Sequence, residues 1–216
     1  MKIVIIGQNE GKSIQPMLDS LKPYSQYSRI WVLDRCSDDS AAQLKSAGEF
    51  FIETPSWLKG RQTAYSRNLG ASAAGDDDIL FLDGDRWITS GSIAGIESSE
   101  TDIQLLRLEN DSRNSITDYQ ESYGTVYNGF FSCGLFMKKT AIQKVIQFQG
   151  ELFKLSTQEK WGIEDCYLGD VCYHLKLTAD LYKCCKLAGK FDRLSLDNGQ
   201  VLVDRFKLRD KLNVKW

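Results

Sequence analysis

Hydrophobic and polar positions alternate in blocks along the first ninety residues. Lys2 to Ile6 is a continuous β-branched run, as expected of a strand covered on both faces, and it stops at the polar turn Gly7-Gln8-Asn9-Glu10-Gly11-Lys12-Ser13. Ser13 is placed to cap a helix running to about Leu21. Arg29 to Leu33 predicts a second strand, followed by a polar stretch from Asp34 to Ser40, a helix from about Asp39 and a short strand from Phe50 to Ile52. Arg61 to Ala74 is helical in pattern and closed by Gly75. Ile79 to Leu82 is another buried strand, running straight into Asp83-Gly84-Asp85. Strands alternating with helices in this order predict an α/β fold with a mainly parallel central sheet and crossover helices.

The second half is less regular. Ile103 to Leu108 and Phe130 to Met137 have the character of strands, and the polar stretch between them, Glu109 to Gly124, is expected to be a mobile loop. Trp161-Gly162 leads into a helix whose apolar stripe is Leu168, Val171, Cys172 and Leu175. Arg193 to Phe206 suits a hairpin turning at Asp197-Asn198-Gly199. At 216 residues the chain is long enough for one well-buried α/β domain, 1–216, with halves at 1–90 and 91–192 and a C-terminal hairpin and basic tail at 193–216.

Composition narrows the function classes. A net charge of -2 gives no general attraction to nucleic acid or anionic membrane, although Arg205, Lys207, Arg209 and Lys211 make the C-terminal segment basic. Six cysteines without a CxxC pair fit reduced thiols and a cytoplasmic setting. The first apolar run is too short for a signal-peptide core or a membrane span. A single histidine, His174, speaks against a histidine-rich zinc site, and its place in the apolar-striped helix suits packing or surface better than ligation.

Four segments carry candidate chemistry. Asp83 and Asp85 follow a buried strand and, two residues apart, project to one side; hard oxygen donors there suit Mg²⁺ or Mn²⁺ holding a diphosphate, although Asp-Gly-Asp is also a common turn. Asp34, at the end of the second strand, can accept hydrogen bonds from a base N–H or ribose hydroxyls, while Asp38 or Asp39 caps the next helix. Arg61 and Arg67 are suited to phosphate, but six residues apart they cannot share a helix face, and Arg67 beside Asn68 is the preferred contact. Glu164 and Asp165 open a helix whose dipole favours an ionised carboxylate, as a general base requires, and Trp161 with Gly162 before them offers a surface for a sugar ring.

Taken in order, these segments resemble glycosyltransferase family 2 and related enzymes of the GT-A fold. The family pattern is a first strand ending near Asn-Glu, an Asp-x-x-Ser-x-Asp loop, an Ala-Arg-Asn-x-Gly helix, a strand with a DxD motif and a later Glu-Asp pair. This chain offers Asn9-Glu10 after Gln8, Asp34 to Asp39, Ser66-Arg67-Asn68-Leu69-Gly70, Asp83-Gly84-Asp85 and Glu164-Asp165. The resemblance implies a Rossmann-like nucleotide-sugar transferase whose nucleotide-binding half is 1–90 and whose acceptor and catalytic half is 91–192. It implies that Asp34 contacts the base, Asp83 the ribose and Asp85 a divalent Mn²⁺ or Mg²⁺. It also implies that Asp165 deprotonates an acceptor hydroxyl with inversion, and that a UDP-sugar is the leading donor. Arg35 stands where the family often has a second aspartate, which bears on the choice of base.

Two rivals belong to other classes. GQNEGKS followed by ILFLD resembles a P-loop NTPase, but Gly7 to Gly11 leaves three residues between glycines where that loop needs four. A non-catalytic nucleotide-sugar or carbohydrate-binding module would keep Asp34 and Trp161 and need neither metal nor base. The acceptor is not specified by these motifs; the resemblance allows a glycan, a small molecule, a protein side chain or a hydroxylated DNA base.

Overall fold

The computed structural model describes residues 1–58, 63–109, 134–154 and 163–189, without the side chains of residues 108, 163 and 166. The elements in chain order are β1 (Lys2–Gly7), α1 (Gly11–Leu21), β2 (Ser28–Leu33), α2 (Ser40–Ser46), β3 (Phe51–Glu53), α3 (Thr63–Ala74), β4 (Ile79–Asp83), β5 (Arg86–Gly91), β6 (Ile103–Leu108), β7 (Gly134–Met137), α4 (Lys139–Gln149), α5 (Ile163–His174) and β8 (Ala179–Gly189). They build one sheet in the order β3-β2-β1-β4-β7-β6-β8-β5. The half holding β3, β2, β1 and β4 is wholly parallel; β7 joins β4 antiparallel, and β8 runs parallel to β6 but antiparallel to β5.

The continuous apolar strands are explained by the layers. On β1, Val4 and Ile6 join a core with α3, α4 and α5, while Ile3 and Ile5 face the other way into a core with Ile14, Met17, Leu18 and Leu21 of α1 and Leu44 of α2. Both faces of the sheet are covered, so alternation between apolar and polar positions is lost where the sheet is most central. In register, Ile6 stands opposite Val32 of β2 and Asp83 of β4, so the three strands end nearly level. The chain proceeds from β1 to β2 and β3 on one side, then crosses to β4 on the other. That reversal leaves a crevice beyond the carboxyl ends of β1 and β4.

Several expectations are adjusted. α1 begins at Gly11 rather than behind a Ser13 cap: Ser13 is buried, and the carbonyl of Glu10 accepts from Ser13 N at 2.7 Å and Ile14 N at 3.1 Å. β3 lies one residue later than the pattern suggested. β5, α4 and β8 were not anticipated. β5 is mostly exposed or half-buried, the buried stripe of α4 is only Ala141, Ile142 and Val145, and register shifts break the two-residue period where β8 meets β5 and β6. Within α5, Leu168, Val171 and Cys172 are buried as the stripe required, and Leu175 packs just beyond the helix end. The expected loop at 110–124, the start of the strand at 130–133 and the C-terminal hairpin and tail lie outside the described residues.

α3 packs closely on the sheet at Gly70, and apart from Arg67 its buried residues are small: Ala64, Ser66, Gly70, Ala71 and Ala74. A Cβ on Gly70 would collide with Val4 Cγ1 and come within 3.3 Å of Val32 Cγ2. Gly70→Ala is therefore expected to destabilise the fold by about 1–3 kcal/mol in urea unfolding, the usual range for overpacking. The double variant with Val4→Ala should recover part of that loss. Equal stability of Gly70→Ala and wild type would show that α3 can lift without cost.

Candidate active site

The crevice at the strand reversal is lined by Ile6, Gly7, Gln8 and Glu10 after β1, Asp34 after β2, Thr63 and Ser66 of α3, and Asp83, Gly84, Asp85 and Arg86. Its cavity volume is about 110 Å³. The two glycines let the strand ends approach. A Cβ on Gly84 would lie 3.2 Å from the Ile6 carbonyl oxygen and 3.4 Å from Gly7 Cα, and one on Gly7 would lie 2.9 Å from Glu10 Cγ. Gly84 N donates to the Ile6 carbonyl at 2.7 Å, and Asp34 N to the Gly7 carbonyl at 2.8 Å, so the turns after three strands are tied into one rim.

Asp34 is buried and held on both oxygens. Arg35 Nε donates to Oδ1 at 2.7 Å, Arg35 Nη2 to Oδ2 at 3.0 Å, and Thr54 Oγ1 to Oδ1 at 2.9 Å. A side chain rarely folds back on its preceding neighbour; here it does so because Arg35 has a left-handed backbone, with φ 48°, and because its Nη1 also donates to the Leu58 carbonyl. Asn9, also left-handed at φ 59°, is exposed, and its Oδ1 accepts from Ser37 N at 2.7 Å and from Asp38 N and Ser37 Oγ at 3.3 Å. Asp38 Oδ2 accepts from Gly11 N at 2.9 Å, and its Oδ1 from Ser40 N at 3.1 Å. Asn9 and Asp38 thus knit the turn after β1 to the loop before α2.

The second half of the site meets the first on one buried side chain. Arg67 is 3% exposed. Its Nη1 donates to Glu164 Oε1 at 3.1 Å and Asp165 Oδ1 at 3.0 Å, and its Nη2 to Asp83 Oδ1 at 3.1 Å. The guanidinium stands 5.4 Å from the ring centre of Phe153, which meets Phe81 edge-on at 5.3 Å. Asn68 pins this aromatic support: its Nδ2 donates to the Phe153 carbonyl at 2.7 Å and its Oδ1 accepts from Phe153 N at 2.8 Å. Adjacent residues of α3 therefore have separate duties. Arg67 gathers carboxylates and Asn68 fixes the backbone beneath them.

Three carboxylates around one cation leave an excess of negative charge. Burial pushes Arg67 towards neutrality, but Asp165, Asp83 and Glu164 outweigh it and hold the guanidinium charged. Burial first, and the nearby Asp165 second, push Glu164 up to about 7 despite the opposing pull of Arg67. Asp165 is the more open of the pair, with its side chain 15% exposed against 8% for Glu164. Both stand in the first turn of α5, as the helix dipole favours.

Of the residues singled out from sequence, Gln8, Glu10, Asp34, Asp83, Gly84 and Asp85 line the crevice, and Glu164 and Asp165 reach its wall through Arg67. Arg67, expected to meet phosphate, has both terminal nitrogens on carboxylates and is not among the lining residues. Arg61, Trp161 and Gly162 lie outside the described residues. His174 is exposed at the far end of α5 from Glu164, with its ring 5.1 Å from that of Phe148, so it is no partner for Asp85. Lys12, the lysine of the P-loop rival, is exposed and outside the crevice. Sequence patterns missed Arg35 as a clamp, Thr54, Thr63, Ser66 and Phe153; the visible signals were the departures from the family pattern at Arg35 and Ser66.

Comparison with known proteins bears on the fold. The model of the family described as Glycosyl transferase family 2 matches residues 2–96, somewhat under half of the 216 residues. No curated protein sequence matches the chain. Among solved structures, TarS 1–349 of S. aureus in complex with UDP-GlcNAc is 15% identical with a TM-score of 0.65, over 97% of this chain and 67% of that one. Glucosyl-3-phosphoglycerate synthase from Mycobacterium tuberculosis, in complex with Mn²⁺, UDP and phosphoglyceric acid, is 12% identical with a TM-score of 0.65, over 100% of this chain and 80% of that one. The chain spans 40% of a longer TarS chain, at 14% identity and a TM-score of 0.64.

The Glu164 carboxyl has a signature in stability. It keeps its proton to about 7 in the folded state against an ordinary value of 4.5, so between these the folded state binds more protons. The contribution of Glu164 to stability then falls as pH rises through that window. Glu164→Gln retains an acceptor for Arg67 and removes the titration. The melting temperature of the variant relative to wild type should climb between pH about 5 and about 8. A pH-independent difference would mean that Glu164 ionises normally.

Proposed function

We propose that this chain, a glycosyltransferase of GT-A fold resembling family 2, moves a sugar from a UDP-sugar to an acceptor hydroxyl, with inversion and with a divalent cation on the diphosphate. One observation carries this: Asp34, Asp83 and Asp85 open onto a single crevice at the strand reversal, and Arg67 ties Asp165 to Asp83 at its wall. Acidic groups from distant parts of the chain, Asp34 and Asp83 to Asp165, converge as the chemistry of sugar transfer requires.

In this reading Asp34, held by Arg35 and Thr54, faces the base and Asp83 the ribose. Gln8 and Glu10 border the nucleotide. The residues present fit a divalent ion of one kind. No group of three His, Cys, Asp or Glu able to hold a metal exists among the described residues, so a closed protein cage is not on offer there. Asp85, with Asp83 two residues before it, would hold Mg²⁺ or Mn²⁺ through one or two carboxylates, a donor set that suits a hard cation bound together with a diphosphate. When bound, the ion offsets negative charge on the departing diphosphate.

Asp165 is the proposed base. Its carboxylate takes the proton of the acceptor hydroxyl as that oxygen bonds to the anomeric carbon, while the bond from this carbon to the diphosphate breaks on the opposite face. Arg67 and Glu164 position Asp165 and do not touch the sugar. The sugar-ring platform assigned to Trp161 and Gly162, and the phosphate contact assigned to Arg61, remain part of the proposal on sequence grounds alone. The acceptor is a hydroxyl of a glycan, small molecule, protein or modified DNA base. No described helix is long and apolar enough to cross a membrane.

Thermal melting tests the donor site. UDP with Mn²⁺ is expected to raise the melting temperature more than the sum of UDP alone and Mn²⁺ alone, because the ion has few protein ligands without the nucleotide. Asp85→Asn should abolish that synergy. Asp165→Asn should leave it intact and lower the rate of UDP release from UDP-sugar by about 10²-fold or more, as loss of a general base does. If both variants turn over UDP-sugar like wild type, the roles given to Asp85 and Asp165 fail; if wild type binds UDP but turns over no UDP-sugar, the fold serves as a binding module.

A further inference from the structure

Ser66 is a buried hydroxyl for which the fold has no use. The residue is 1% exposed, lies in the first turn of α3, and its Oγ has no hydrogen-bond partner. Within an α-helix a serine hydroxyl ordinarily turns back to a carbonyl of the preceding turn, and a buried hydroxyl left unpaired is destabilising. Ser66 nevertheless lines the crevice with Ile6, Asp34, Thr63 and Asp83. It therefore shares the crevice with the carboxylates after β2 and β4. The family pattern has alanine at this position, so α3 can pack on the sheet without the hydroxyl.

We infer that Ser66 is a donor-specificity residue, whose hydroxyl hydrogen-bonds a polar atom of the nucleoside in the bound nucleotide diphosphate; this rests on the donor-site reading above. The shared chemistry is one neutral hydrogen bond from the helix side of the crevice, to a ribose hydroxyl or to a carbonyl of the base. Asp34 and Asp83 are acceptors when ionised, and they can satisfy only N–H and O–H groups. A base carbonyl needs a donor, and Ser66 supplies one that is already desolvated. Ligand binding then pairs a group that is unpaired in the free protein, so the bond is made without first breaking another.

The test compares wild type with Ser66→Ala by calorimetry, with UDP and 2′-deoxy-UDP in the presence of Mn²⁺, and by melting without ligand. Without ligand, Ser66→Ala should melt at the same temperature or higher, which a serine with a structural role would not do. With UDP it should bind roughly three- to tenfold more weakly, the range for one neutral hydrogen bond. A loss that vanishes with 2′-deoxy-UDP assigns the bond to the 2′-hydroxyl; a loss that persists assigns it to another atom of the nucleoside. Equal UDP affinity in the two proteins, or a lower melting temperature for the ligand-free variant, overturns the inference and leaves the donor site standing. If wild type itself binds no UDP, nor CDP, GDP or ADP, the donor-site reading fails and this inference with it.

Discussion

The site depends on a single buried cation. Arg67 joins Asp83 at the end of β4 to Glu164 and Asp165 at the start of α5, spanning 97 and 98 residues of sequence for the last two. Apolar contacts of Leu168, Val171 and Cys172 hold α5 against the sheet but do not set where its first turn lies. Burying charge is costly, and removing one member of a buried network leaves the others uncompensated, commonly at about 3–5 kcal/mol. The wall of the crevice is therefore placed by an interaction that is expensive to break and directional in geometry. Phe153 beneath the guanidinium and Asn68 beneath Phe153 extend that constraint to the residues that follow α4.

Much of the architecture of the parallel half of the sheet was legible because it is local. β1, β2 and β4 announce themselves as unbroken apolar runs, and their ends are marked by polar residues, so Asp34 and Asp83 could be assigned to one edge of the sheet without knowing how the strands pair. The duty of Arg67 was not legible. A guanidinium suits phosphate and carboxylate equally, and its two α5 partners are nearly a hundred residues away. Small residues hid the inner face of α3, since Ser66, Gly70 and Ala71 carry little hydrophobic signal even though they are buried. β8 was lost for a different reason: it exchanges register against both neighbours, and a strand with a shifted period does not present the alternation that pattern reading relies on.

Arg35 shows how a departure from a family pattern acquires meaning only in three dimensions. As a letter it replaces an acidic residue and casts doubt on the base. In the fold its left-handed backbone turns the guanidinium onto Asp34, so the substitution supplies support for the neighbouring carboxylate. A second aspartate there would add charge to a pocket already shared by Asp34 and Asp83; arginine instead removes some and links the pocket to Leu58. The Asp34 carboxylate is thus braced from a direction that the resemblance does not include.

The proposed coupling of metal to nucleotide follows from the same inventory of charge. Around the crevice and its wall stand Glu10, Asp34, Asp83, Asp85, Glu164 and Asp165, against Arg35, Arg67 and Arg86. Arg35 and Arg67 are engaged with Asp34 and with the Asp83, Glu164 and Asp165 cluster respectively, and Arg86 Nε lies 3.6 Å from Asp85 Oδ1. A diphosphate entering such a setting meets carboxylates, and at short range in a poorly screened site like charges repel strongly. Protonated Glu164 relieves part of this below pH about 7, but at the wall rather than where the proposed diphosphate would lie. A divalent ion held at Asp85 would reverse the sign of that encounter. In the proposed function, the same excess of carboxylates that repels a bare anion would favour an anion that arrives with a cation.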